Sequence, residues 1–146
     1  MQEIKIGNGV GQLKFDTTRE QVLKIIGEPE EKESFSLSEL DGDKTESWHY
    51  DTLGLSLSFD EENNWLLSSI AISNEDYTLN GEVLIGKTRE AAIKLMEQNG
   101  WHTIEEDEEV SRDDANASLL HVEEASISLW FEHNILTEVQ VSPIFN

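Results

Sequence analysis

The chain has 146 residues, no cysteine, and 31 acidic against 10 basic side chains, a formal net charge of -21. That length supports a core without covalent staples, and the lack of cysteine excludes a disulfide framework or a thiolate metal site. The acidity is spread over both halves, and such a field repels nucleic acid and anionic membrane while steering basic partners inward; the bland alternative is that it only maintains solubility.

The start, Met1-Gln2-Glu3-Ile4-Lys5-Ile6, has no basic region followed by an apolar run. No later stretch approaches membrane-spanning length, so the expectation is a soluble, cytoplasmic protein. Ile4-Lys5-Ile6 reads as a short extended segment entering the turn Gly7-Asn8-Gly9. A helix is predicted over 17–27, with Thr17 or Thr18 as cap, Glu20 near the positive helix end, and Val22, Leu23, Ile25 and Ile26 as its apolar stripe. Gly27-Glu28-Pro29 ends it.

The polar connection from Glu30 to Glu46 offers few apolar anchors and reads as mobile. Three period-two strands follow, Trp48-His49-Tyr50, Leu55 to Phe59 and Leu67 to Ile72. The pattern then starts again. Tyr77-Thr78-Leu79 meets the hairpin signal Asn80-Gly81, and a helix is predicted over 87–99, capped by Thr88 and stopped by Asn99-Gly100. A second mobile, acidic connection runs from Glu105 to Ala117, before strands at Leu120-His121-Val122, Ile127 to Phe131 and Leu136 to Val141. Gly11 to Ile26 aligns with Gly81 to Met96, Leu55 to Asp60 with Ile127 to Glu132, and Leu66 to Ser73 with Ile135 to Ser142. A duplicated unit buries its apolar faces against its twin.

Strand alternation assigns faces. Leu55, Leu57, Phe59, Ile70, Ile72, Ile127, Leu129, Phe131, Val139 and Val141 point toward the helices. The opposite face carries Ser56, Ser58, Ser128, Glu138 and Gln140, with Trp130 as a large aromatic among small residues. Such a face is either solvated or shallow enough to receive another macromolecule, and Trp130 is either an interface anchor or covered by the Glu105 to Ala117 connection.

The segment Phe15-Asp16-Thr17-Thr18-Arg19-Glu20-Gln21-Val22-Leu23-Lys24-Ile25-Ile26-Gly27-Glu28-Pro29 resembles the helix signature of the small outer-membrane assembly lipoproteins and of the beta-lactamase inhibitor proteins, which carry the unit in tandem. The resemblance implies a helix on a three-stranded antiparallel sheet, duplicated, and a sheet used for binding. The chain lacks the lipoprotein cysteine and the inhibitors' disulfide bracing, so architecture carries over and residue roles do not.

Catalytic and metal motifs are sparse. His49, His102, His121 and His133 form no ligand pair at zinc spacing. Asp41-Gly42-Asp43 with Glu46 is a fragment of a calcium-loop pattern and reads as a solvated turn. The serines lack a Gly-x-Ser-x-Gly elbow, and Gly7 to Gly11 lacks the Lys-Ser or Lys-Thr of a phosphate loop. The run Glu105, Glu106, Asp107, Glu108 and Glu109 stays hydrated, with no pocket to separate two carboxyl pKa values.

The expected fold class is α+β, two tandem repeats over 1–75 and 76–146, each a helix on a three-stranded antiparallel sheet with the helices on one face. The expected function is a cytoplasmic protein-binding module, an acidic inhibitor or immunity protein without cofactor, metal or catalytic residues. It would occlude a basic protein such as a nuclease toxin with its serine-lined sheet face, Trp130 and the acidic run. The alternative is a structural or regulatory module with a non-basic protein partner.

Overall fold

The computed structural model describes residues 2–36 and 44–144. The chain begins with three short strands, β1 (Gln2–Lys5), β2 (Gly9–Val10) and β3 (Leu13–Lys14). Gly9 has φ +150, and a Cβ added there would lie 1.9 Å from the Leu13 carbonyl oxygen. Only glycine lets β2 approach β3 so closely.

Helix α1 (Arg19–Ile26) starts with a capping box: the Thr18 side chain accepts from the Gln21 N–H at 3.1 Å while the Gln21 side chain accepts from the Thr18 N–H at 3.0 Å. It ends at Gly27, whose φ of 81 suits glycine. Four antiparallel strands follow, β4 (Glu31–Ser36), β5 (Lys44–Tyr50), β6 (Leu55–Asp60) and β7 (Leu66–Ile72). The short β8 (Tyr77–Leu79) and β9 (Glu82–Val83) lead to α2 (Arg89–Gln98), capped by the Thr88 hydroxyl on the Ala91 N–H. Then come β10 (Ile104–Glu106), α3 (Glu108–Asp113), β11 (Ala117–Val122), β12 (Ile127–Glu132) and β13 (Ile135–Val141).

The strands form a five-stranded sheet, β3-β2-β1-β8-β9, and an eight-stranded sheet, β10-β11-β12-β13-β7-β6-β5-β4. Two sequence-distant pairings unite the chain. β1 runs parallel to β8, with Gln2 opposite Tyr77, and β7 lies antiparallel to β13, with Ala71 opposite Gln140. One buried cluster joins Ile4, Val10 and Leu13 of the smaller sheet, Val22 of α1, Ala92 and Met96 of α2, and the inward residues of the larger sheet. Backbone bonds pin the helix entrances, from Leu67 N–H to the Thr17 carbonyl at 2.9 Å and from Leu136 N–H to the Lys87 carbonyl at 2.8 Å.

This architecture corrects the expected α+β class of two helix-on-three-strand repeats. The protein is mostly β, with two sheets and three α-helices among the described residues. Two physical causes account for the difference. The short N-terminal and mid-chain segments find each other across the chain and build a second sheet. The polar connections, read as mobile, take up backbone partners: β4 pairs with β5 from Glu31 opposite His49 to Ser36 opposite Lys44, and β10 pairs with β11. Backbone pairing thus makes strands where no buried side-chain pattern marks them.

Candidate protein-binding face

On the larger sheet, the residues opposite one another across all eight strands form one uninterrupted row on the face away from the core. It reads Glu31, His49, Ser56, Ala71, Gln140, Ser128, His121, Glu105. At about 4.8 Å per strand the row is roughly 34 Å long before twist. It is nearly palindromic, with carboxylates at both ends and a His–Ser pair inside each. The imidazole Nδ1 of His49 lies 2.9 Å from Ser56 Oγ, and that of His121 lies 2.8 Å from Ser128 Oγ. The Nε2 atoms look outward toward acids, Glu33 at 3.6 Å and Asp107 at 3.9 Å.

Each half therefore holds serine, histidine and carboxylate within reach, but these serines sit on interior strands with neighbours on both sides. Their backbone N–H groups belong to the ladder and are not free to hold a developing oxyanion. The arrangement is suited to orienting hydrogen bonds on a surface. Among the described residues no group of three or more His, Asp or Glu is placed to hold a metal ion. Asp41, Gly42 and Asp43 lie outside the described residues; Glu46 instead accepts from Arg19 at 3.1 Å and from the Trp48 indole N–H.

Ser56, Ser58, Ser128, Trp130, Glu138 and Gln140 all lie on this open face. Trp130 is half-buried, between Leu119 on β11 and Glu138 on β13. Ser58, Ser69 and Gln140 help line a shallow hollow of about 610 Å³ with Thr45 and Asp60, whose side chains bond each other at 2.7 Å. Desolvation on the sheet surface, and then the nearby Glu132 carboxylate, hold the Glu138 carboxyl above the usual carboxylate range.

A raised acid pKa in the folded state means that the native protein binds more protons than the unfolded chain, so this group costs stability as pH rises through its folded pKa. Glu138→Gln should raise the melting temperature at pH 7 and make little difference at pH 3, where the Glu138 carboxyl is protonated in the folded and the unfolded chain alike. Thermal melts at the two pH values check this; equal shifts at both would contradict it.

The acidic run does not behave as the mobile loop expected of it. Glu105 and Glu106 belong to β10, with Glu105 opposite His121. Asp107 caps α3 by accepting from the Glu109 N–H at 3.1 Å, and Glu108 and Glu109 occupy the first turn of that helix. Carboxylates are favoured there by the orphan N–H groups and the helix dipole, which offset their mutual repulsion. Glu106 turns away to Arg89 and accepts from Ser111 at 3.2 Å. Glu105, Glu108 and Glu109 remain exposed.

The sequence reading set aside His49 and His121 and overlooked Glu33. A signal was present in the equal seven-residue separation of His49 from Ser56 and His121 from Ser128, which in a hairpin places each pair side by side.

No family model matches the chain, and no curated protein matches it. A solved structure similar to it is an extracellular protein containing an SCP domain from Bacillus anthracis str. Ames, 15% identical, with a TM-score of 0.48, covering 86% of this chain and 43% of that one. The chain thus spans less than half the length of that protein. The resemblance to beta-lactamase inhibitor proteins and assembly lipoproteins is corrected by the architecture itself: two sheets of five and eight strands, mostly β, are not a helix-on-sheet tandem repeat. The cytoplasmic expectation is not carried forward: the neighbour is described as extracellular, a statement about that protein alone. Among the described residues no helix is long and apolar enough to cross a membrane.

Proposed function

We propose that this chain is a protein-binding module, an acidic inhibitor or immunity-type protein that covers the working surface of a basic partner such as a nuclease. The observation that carries the reading is the open sheet face, with its row of small and hydrogen-bonding side chains, a carboxylate at either end and Trp130 beside it. A broad, shallow face supplies area, the half-buried indole supplies a short-range anchor, and a net charge of -21 supplies attraction at long range. Dense carboxylates also imitate the phosphate backbone that a nuclease site accepts.

Long-range and short-range contributions separate kinetically. After a partner screen, association measured by stopped flow should slow steeply as the Debye length falls from about 10 Å at 0.1 M salt to about 3 Å at 1 M, with dissociation changing much less. Replacing Glu105, Glu108 and Glu109 with glutamine should mainly slow association. Trp130→Ala should instead speed dissociation by about thirtyfold, the equivalent of a hot-spot loss of about 2 kcal/mol. An unchanged dissociation rate would remove the sheet face as the binding surface.

A further inference from the structure

The two edges of the eight-stranded sheet are treated differently. At one edge β10 has three residues; its Glu106 is tied to Arg89 and Ser111, and α3 leads directly from it onto β11. At the other edge β4 has six residues, all exposed, and no further strand pairs with it among the described residues. A long edge strand presents unpaired N–H and C=O groups, which proteins usually blunt with a charge or a cover. Lys32 is the residue expected to do this, but its ammonium is drawn back over the Trp48 ring, 4.6 Å from the centroid, and lies 3.6 Å from Glu28. Among the described residues no strand covers the outer edge of β4.

We propose that β4 is a docking edge that takes an extended, basic segment of a protein partner as a ninth strand. The pleat places Glu31, Glu33 and Phe35 on the open-face side, opposite His49, Ser47 and Thr45 of β5. An added strand with lysine or arginine at two alternate positions and an apolar residue at the third meets two carboxylates and a phenyl ring in register. Phe35 is 46% exposed, and Ser34, Phe35, Ser36, Lys44 and Trp65 line a hollow of about 380 Å³ at this end of the strand. A second copy of this chain is the wrong occupant, because it brings another net charge of -21 to the same edge. The proposal shares with the binding-face reading the sign of the partner's charge and Glu31, which ends the row on β4.

The test uses the intact chain and a fluorescent peptide of about ten residues alternating lysine and threonine, with one central valine. Two N-methylated versions, one for each set of alternate amides, keep the charge but each blocks one pairing edge of the peptide. The parent peptide should bind, and one methylated version should bind at least tenfold more weakly. Amides in Glu31 to Ser36 should gain hydrogen-exchange protection in the complex. Glu33→Lys with Phe35→Ala, at an exposed edge where folding is little affected, should weaken binding at least tenfold, and Trp130→Ala should leave it within twofold. No binding, equal binding of all three peptides, or protection confined to other strands would each overturn the proposal. An effect of Trp130→Ala without one from the β4 variant would overturn it while leaving the sheet-face reading standing.

Discussion

Cutting the chain between Ser73 and Asp76 should leave two fragments that do not fold alone. Each would have about seventy residues, near the lower limit for an independent core. More decisive is what the cut separates. It removes β13 from β7, opening an edge that carries Ile70 and Ile72 in the middle of the larger sheet, and it parts β1 from β8 in the smaller one. It also severs the Glu3 carboxylate from Thr78 Oγ1 and the Asn80 N–H, both at 3.0 Å, and Tyr77 OH from the Leu53 carbonyl at 2.7 Å. Circular dichroism of the separate and mixed fragments checks this. A cooperative melt from either fragment alone would show that the cross-chain pairings are dispensable.

Removing the Trp48 ring should be the most damaging single substitution in the larger sheet. Trp48 is 2% exposed and tilts against Phe59 with centroids 4.8 Å apart, Lys32 caps its face, and its indole N–H is bonded to Glu46. Trp48→Ala creates a cavity, removes the cation–π contact and takes a donor from a carboxylate that Arg19 alone would then hold. Losses of about 3–5 kcal/mol are typical of such truncations, a fall in melting temperature of about 10–16 °C for a chain of this size. Trp48→Phe keeps much of the packing and should lose less than half as much. Thermal melts of both variants give the comparison, and an alanine variant as stable as the parent would show that the indole is not integral to the core.

Much of the local structure was legible. The presence of α1 and α2, Thr18 and Thr88 as caps, Gly27 as a stop and the inward residues Leu57, Phe59, Ile70, Leu129, Phe131 and Val141 follow from capping chemistry and period-two alternation, which act within a few residues, while the expected spans 17–27 and 87–99 run past the observed Arg19–Ile26 and Arg89–Gln98. Tyr50 and Tyr77 show where such reading ends. Each phenol is pushed up to about 12 by burial and then by nearby carboxylates. Their partners are backbone carbonyls far away in sequence, Gly27 for Tyr50 and Leu53 for Tyr77.

The sequence by itself determined the alternation that makes one sheet face apolar and the other small and polar, the helix entrances, and the sign of the long-range field. These depend on side-chain type and short spacing. Tertiary structure alone decided that β1 would join β8, that β7 would meet β13 so that His49, Ser56, Ser128 and His121 share one row, and that Glu31 to Ser36 would form the terminal strand of the larger sheet among the described residues. It also divided the acidic run among a strand, a cap and a helix. The physical reason is that backbone ladders stabilise segments whatever their side chains, and which segments meet depends on closing the whole core.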